Sequence, residues 1–192
     1  MNNGVVVIGA SAGGLSALES LLVELGSCLS YPVVITKHLA PGDEEGLLKV
    51  LSKTSPLAVS IAYDKQKMTN NHVYLAPGGY HLQIEDRETL SLSIDEAVCH
   101  SRPSVDVLFQ SAADVFGKQL VGVVLTGANR DGAEGIRAVK QAGGITLVQN
   151  PKTAEVPIMP RSAIATGCVD HVLDLRDIAI FLKAISLKAI SL

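Results

Sequence analysis

The chain has 192 residues, of which 47% are hydrophobic and 18% charged, and its formal net charge is −3. This balance predicts one well-filled globular domain and excludes a disordered chain. The sequence has no basic run, which argues against binding to nucleic acid or to an anionic membrane surface.

The first part of the chain alternates apolar strand patterns with helical ones. "VVVI" at 5–8 predicts a strand, and leucines at helical spacing from Leu15 to Leu25 predict a helix that ends at Gly26. A strand, a helix and a further strand are then predicted from "PVVITKH", "GDEEGLLKVLSK" and "PLAVSIA".

The middle of the chain has a different pattern. "HVYLAPGGYHLQIEDRETLSLSI" holds short alternating runs around "PGG" and "EDRE", which predict small antiparallel hairpins. Helices and strands then alternate again. They are predicted, in order, from "SVDVLFQSAADVF", "LVGVVLTG", "DGAEGIRAVKQAG", "GITLVQN", "MPRSAIATG" and "HVLDL", with a final helix from about Arg176.

This order of elements predicts an α/β fold. Several strands are apolar throughout, which is typical of a doubly wound, mostly parallel sheet flanked by helices on both faces. A small antiparallel hairpin region is expected in the middle of the chain. In such sheets ligands bind at the carboxyl ends of the strands, so chemistry is expected there.

The cysteines and the N-terminus indicate the compartment. Cys28, Cys99 and Cys168 are scattered and odd in number, which favours a reducing cytoplasm over a disulfide framework. The first apolar stretch breaks at Gly9 without a preceding basic segment, and no apolar run is long enough to span a membrane. We therefore expect a cytoplasmic protein with neither a signal peptide nor membrane insertion.

The turn after the first strand reads "GASAGG". Its serine stands where a dinucleotide-binding fingerprint wants a glycine, and no Walker lysine follows. Gly9, Ser11 and Gly13 do match G-x-S-x-G between a strand and a helix, the setting of a nucleophilic serine. The alternative is that Ser11 only caps the helix that follows.

A serine hydroxyl needs a base to become a nucleophile. His38 ends the second predicted strand, and Asp131 follows the strand "VGVVLTG", so both are expected at the same sheet edge as Ser11. This is the constellation of a catalytic triad in the chain order Ser, His, Asp. The alternatives are that His38 closes a loop and that Asp131 caps a helix, with Glu134 completing a capping box.

Six segments occur together and in order: "IGASAGG", "KHLAPG", "VYLAPGGYHL", "SRPSVDVLF", "LTGANRDGAEGI" and "MPRSAI". Over about Val5 to Leu175 the chain resembles the catalytic domain of the CheB-type chemotaxis protein-glutamate methylesterases. The resemblance implies a single catalytic domain over residues 1–192. It also implies a hydrolase of glutamate γ-methyl esters on the cytoplasmic helices of chemoreceptors, with deamidation of receptor glutamines as a second activity.

The resemblance also assigns roles to residues. Ser11 would be the nucleophile, His38 the base and Asp131 the residue that orients it. Backbone N–H groups of Ala12 and Ala128 would bind the oxyanion, and Arg102 would line the site. No cofactor is implied. The remaining histidines have no ligand spacing, so no metal site is predicted; they are His72, His81, His100 and His171.

Two departures from the family pattern bear on regulation and substrate. Family members usually carry an N-terminal receiver domain, and this sequence starts at the catalytic domain. Either the sequence is a piece of a longer protein, or we expect a stand-alone enzyme whose control comes from elsewhere, for example from a separate receiver protein. The usual "TGM" turn reads "TGA", with Ala128 at the methionine position. The smaller side chain leaves open an esterase or amidase for another substrate, and a catalytically silent receptor-binding module is the alternative of another class.

Overall fold

The computed structural model describes residues 4–27 and 29–190, with side chains described up to residue 186. Within these ranges the chain forms nine strands. They are β1 (Val5–Ala10), β2 (Val33–Lys37), β3 (Ala58–Ile61), β4 (His72–Leu75), β5 (His81–Ile84), β6 (Leu90–Ser93), β7 (Leu120–Val124), β8 (Ile145–Gln149) and β9 (His171–Leu173).

Seven of these strands form one sheet in the order β3-β4-β2-β1-β7-β8-β9, and every neighbouring pair is parallel. The other two, β5 and β6, pair antiparallel in a separate hairpin. The predicted doubly wound α/β fold with a small antiparallel region is therefore confirmed. The first strand, β1, lies at the centre. On one side of it the next strands lie in the order β2, β4, β3, with β4 inserted between β2 and the edge strand β3, and β7, β8 and β9 follow on the other side.

Helices cover both faces of the sheet. The described residues form α1 (Gly14–Leu25), α2 (Glu44–Thr54), α3 (Val105–Phe116), α4 (Ala133–Gln141), α5 (Ile158–Ala165) and α6 (Leu175–Ile190). One hydrophobic core contains side chains of α1, α2 and α6, and the other contains side chains of α3, α4 and α5.

The central strand explains why the parallel strands are apolar throughout. Val6 and Ile8 belong to one core, whereas Val5 and Val7 belong to the other. Because a sheet covered on both faces has no solvated side, successive residues of β1 are all buried. Complete burial of one such aliphatic side chain stabilises the fold by about 1.5–3 kcal/mol.

The hairpin expected around "PGG" is not formed, and that prediction was wrong. Of these two fully described segments, "EDRE" turns a hairpin, between β5 and β6. The strand before "PGG", β4, lies in the main sheet, where it pairs with β2 and β3. Its side chains from Val73 to Leu75 are buried, so burial between the two helical layers, rather than local turn chemistry, decides its partner.

Among the described residues, no helix combines the length and the apolar character that crossing a membrane requires. The "KAISL" segment repeats at the C-terminus. Its first copy, from Lys183, lies in α6, which the Tyr31 hydroxyl ties down by donating to the Leu182 carbonyl at 2.6 Å. The side chains of the second copy, from Lys188, lie outside the described residues.

Candidate active site

Ser11 lies in the turn that connects β1 to α1. Its N–H donates to the Thr126 carbonyl at 2.9 Å, and its own carbonyl accepts from the Gly14 N–H at 2.9 Å. The cap of α1 is Gly13, in the left-handed region at φ 72°, and no side chain caps the helix. The hydroxyl of Ser11 is therefore not a helix cap.

The structure brings the three predicted residues together at the carboxyl ends of their strands. The Ser11 Oγ lies 3.0 Å from His38 Nδ1, and the His38 Nε2 lies 2.7 Å from Asp131 Oδ2. Asp131 is fully buried, whereas Ser11 and His38 are partly exposed. The hydroxyl thus lies at the accessible end of the chain of contacts and the carboxylate at the buried end.

The contacts of the imidazole fix the position of its proton. An ionised Asp131 can only accept, so Nε2 must carry the proton that it donates to Oδ2. The lone pair of the neutral ring is then on Nδ1, facing the Ser11 hydroxyl. The two nitrogens exchange the places they have in the chymotrypsin arrangement, where Nε2 faces the serine.

The carboxylate of Asp131 lies against the N-terminus of α3. Its Oδ2 accepts from the Val105 N–H at 2.8 Å, and its Oδ1 accepts from the Asp106 N–H and the Ser104 hydroxyl, both at 2.9 Å. Burial raises the pKa of this carboxyl, but the hydrogen bonds from His38 and from the α3 backbone outweigh burial, and the pKa lies below its usual value. Asp131 is therefore ionised at neutral pH.

The capping box expected as an alternative is absent from this part of the chain. Asp131 makes no side-chain cap on α4, whose cap is Gly132, and Glu134 pairs with Arg137 instead. The carboxylate that caps α4 belongs to Asp106, which is distant from Asp131 in sequence but adjacent to it in the fold.

Comparison with known proteins identifies the family. The model of the CheB methylesterase family matches residues 6–182. The chain belongs to the CheB methylesterase family. The prediction of a carboxylic ester hydrolase is confirmed with it.

Individual members of the CheB methylesterase family agree along nearly the whole chain. A Leptospira interrogans protein, provisionally named a protein-glutamate methylesterase/protein-glutamine glutaminase, is 44% identical over 93% of both chains. A Nitrosospira multiformis protein with the same two activities in its name is 39% identical over 91% of this chain, which spans 49% of that longer protein. The crystal structure of the Thermotoga maritima CheB methylesterase catalytic domain superposes with a TM-score of 0.92 at 32% identity, covering 95% of this chain and 98% of that one.

Two backbone N–H groups near Ser11 are unoccupied. Among the described residues, the N–H groups of Ala12 and Ala128 donate no hydrogen bond. The Thr126 hydroxyl donates to the Ala12 carbonyl at 2.9 Å, which ties the turn that contains Ser11 to the turn after β7. Both alanines are exposed, so their N–H groups are open to a ligand.

The turn after β7 also approaches Ser11 very closely at Gly127. A Cβ added there would lie 1.9 Å from the Met159 Sδ and 2.9 Å from the Ser11 Cβ. We expect Gly127→Ala to lower the free energy of unfolding by about 1–3 kcal/mol, because the methyl group displaces its neighbours. The shift of Ser11 should also lower kcat/KM.

Thermal unfolding and ester hydrolysis would check the Gly127→Ala prediction. The matched control is Gly46→Ala in α2, where an added Cβ meets nothing within 4 Å. The control should raise stability by about 0.5–1 kcal/mol and leave activity unchanged. Equal behaviour of the two variants would contradict the argument from close approach.

Arg102, which the resemblance places at the site, is exposed beside His38. Its Nη1 donates to the carbonyls of Ile94 and Asp95 at 2.9 and 3.0 Å. It lines a hollow that includes His38 but not Ser11. Arg102 therefore lies beside His38 rather than beside Ser11.

Sequence reasoning missed Asp106. This buried residue stands in the first turn of α3, yet its Oδ1 accepts from the N–H groups of Gly132 and Gly135 at 2.8 and 2.7 Å, at the start of α4. Asp131, just before α4, caps α3 in return. Acidic residues are common in the first turn of a helix, so the position of Asp106 in the sequence does not indicate that it caps α4 rather than its own helix.

The pKa of Asp106 makes its buried position at the start of α4 testable. Burial raises the pKa to about 6 from 3.8, and Asp131 adds to the rise against the hydrogen bonds from Gly135 and Gly132. Since the folded state then holds the proton more tightly than the unfolded state, the stability contributed by this group falls as the pH rises from about 4 through 6. Asparagine keeps the Oδ1 acceptor without the charge.

We therefore expect Asp106→Asn to raise the free energy of unfolding at pH 8 by about 1–3 kcal/mol. At pH 3 the carboxyl is largely protonated in both states, so the variant and the parent protein should differ little. Urea unfolding at the two pH values measures the difference. A stabilisation of the same size at both would show that charge burial is not its cause.

A second missed residue, His81, lies behind Asp131. It is buried, its Nδ1 accepts from the Ser104 N–H at 3.2 Å, and its Nε2 donates to the Glu96 carbonyl at 3.0 Å. Ser104 in turn donates its hydroxyl to Asp131. The hairpin residue His81 thus fixes the residue before α3, a long-range contact that no local pattern could signal.

One group of side chains near the triad has the composition of a metal site. The Cys99 Sγ and carboxylate oxygens of Asp106 and Asp131 lie within 4.8 Å of one another. Both oxygens of Asp131 and the Oδ1 of Asp106 already accept hydrogen bonds from the chain. A metal ion would have to displace these donors, so the residues do not fit one.

Proposed function

We propose that this protein hydrolyses γ-methyl esters of glutamate on the cytoplasmic helices of chemoreceptors and deamidates receptor glutamines, in the cytoplasm. The observation that carries the proposal is the hydrogen-bonded chain from Ser11 through His38 to Asp131 in a member of the CheB methylesterase family. The paired activities in the names of the relatives support the substrate class.

Acylation follows from the contacts. The Ser11 Oγ attacks the ester carbonyl carbon while His38 Nδ1 takes the hydroxyl proton, and the buried Asp131 carboxylate stabilises the imidazolium that forms. The N–H groups of Ala12 and Ala128 donate to the oxyanion of the tetrahedral intermediate. His38 then gives the proton to the departing methoxide, so methanol leaves and a glutamyl ester of Ser11 remains.

Deacylation reverses these roles with water. His38 Nδ1 takes a proton from water, the hydroxide attacks the acyl carbon, and the proton passes to the departing Ser11 Oγ. The products are a glutamate carboxylate and free enzyme. With a glutamine substrate the same steps release ammonia instead of methanol.

The experiment is methanol release from a methylated cytoplasmic fragment of a chemoreceptor, with this protein and with its Ser11→Ala variant. Release that depends on Ser11 would support the proposal. A serine-reactive fluorophosphonate probe separates the other outcomes. Labelling without release would leave a hydrolase for another ester or amide, and neither labelling nor release would leave a receptor-binding module.

A further inference from the structure

A hollow of about 410 Å³ opens beside the catalytic histidine and has no assigned role. Its wall contains Lys37 and His38, which it shares with the hollow of about 540 Å³ that contains Ser11. His38 therefore separates two hollows, and only one of them holds the nucleophile.

The two hollows differ in charge. The one beside Ser11 is lined by Glu19 and Glu155 together with Lys37. The other is lined by Lys37, Arg102 and His100, with Asp43 as its acidic residue. Lys37 and Arg102 against Asp43 leave one excess positive charge when His100 is neutral. A single carboxylate would neutralise it.

The two basic side chains of the second hollow, Lys37 and Arg102, have spare hydrogen-bond donors. The half-buried Lys37 ammonium donates to the His38 carbonyl at a long 3.3 Å, and burial lowers its pKa while Asp43 raises it. Arg102 uses Nη1 for two carbonyls, and the rest of its guanidinium donates to no described residue. Burying part of an ammonium with one weak acceptor is unfavourable, and an incoming anion relieves that cost.

We infer that this hollow, lined by Lys37, His100 and Arg102, binds a carboxylate side chain of the substrate protein that lies one helical turn from the methylated glutamate. The inference rests on the proposed function and deepens it to a substrate preference. Residues three or four apart on a helix have Cβ atoms about 5–6 Å apart, and the two hollows adjoin because Lys37 and His38 line both, so a side chain one turn from the ester is placed to enter the second hollow. The acidic lining beside Ser11 disfavours a second carboxylate in that hollow. We therefore expect a glutamate to favour hydrolysis on one side of the methylated glutamate, one turn before it or one turn after it, and not on the other.

The test uses matched helical peptides that carry one glutamyl γ-methyl ester. Glutamate or glutamine is placed one turn before or one turn after the ester, and kcat/KM is measured by methanol release. At one of the two positions glutamate should raise kcat/KM by about 5- to 20-fold over glutamine, mainly through KM, and added salt should reduce the ratio.

Variants of the protein show which side chain causes the preference for glutamate over glutamine. Arg102→Gln should bring the glutamate-to-glutamine ratio close to one, and Arg102→Lys, which keeps the charge, should retain part of it. The control is Lys118→Gln, which removes an exposed cation at the amino ends of the strands and should leave the ratio unchanged.

The failures can be told apart. Hydrolysis that depends on Ser11 but is equal for all peptides would overturn the carboxylate site and leave the proposed function standing. A ratio that persists unchanged in both Arg102→Gln and Lys37→Gln would also overturn it, because the preference would then arise elsewhere. No hydrolysis of any glutamyl methyl ester would overturn the proposed function and this inference together.

Discussion

Replacing Ser11 by alanine is expected to lower kcat for glutamyl ester hydrolysis by about 10⁶-fold, the scale seen when a serine hydrolase loses its nucleophile. The change removes one oxygen whose side-chain contact is with His38 Nδ1. The turn itself is held by backbone bonds of Ser11 to Thr126 and Gly14, which alanine keeps. The fold should therefore be unaffected.

Methanol release and thermal unfolding, measured on the same samples, test this expectation. Ser20→Ala is the matched control, since Ser20 is an exposed serine of α1 away from the triad. The control should retain full activity. Residual turnover by Ser11→Ala within tenfold of the parent protein would show that Ser11 is not the nucleophile.

Replacing Asp131 by asparagine is expected to lower kcat by about 10⁴-fold. An amide nitrogen in place of Oδ2 would donate to His38 Nε2, so the ring proton would move to Nδ1 and the base would lose its lone pair toward Ser11. Unlike the serine variant, this one should also be less stable. Every oxygen of Asp131 accepts from a donor of the chain, and an NH₂ group in either position would face N–H or O–H groups.

The two effects of Asp131→Asn need separate measurements. Initial rates at a temperature well below unfolding give the loss of activity, and urea unfolding gives a loss of stability of about 1–3 kcal/mol. Asp114→Asn, on the exposed side of the helix that Asp131 caps, should change neither. Full activity in Asp131→Asn would reduce Asp131 to a structural cap.

Much of the fold followed from the sequence because its strands are apolar throughout and are separated by amphipathic helices. The helix that starts after Gly13 ends at Leu25, directly before Gly26, where its pattern predicts. The strand β4 shows where such reasoning stops. Its short alternating pattern and the glycines after it suggest a local hairpin, whereas its partners β2 and β3 are chosen by burial between two helical layers.

The candidate site likewise has residues that the sequence could predict and residues that it could not. Ser11, His38 and Asp131 could be placed together because each follows a parallel strand, and the carboxyl ends of parallel strands share one edge. Asp106, Ser104 and His81 could not, because their contacts depend on how α3 packs against the sheet and the hairpin. The charge difference between the two hollows depends on which loops meet at His38, which no spacing in the sequence specifies.

The reciprocal capping of α3 by Asp131 and of α4 by Asp106 has a consequence for comparing members of this family. A paralogue that lost its enzymatic role would still be under selection to keep Asp131, because its removal would leave the amino end of a core helix without acceptors. Retention of this aspartate is then poor evidence of turnover. Ser11 contributes little to folding, so it is the residue whose loss would be tolerated first and whose presence distinguishes a working hydrolase from a descendant that only binds.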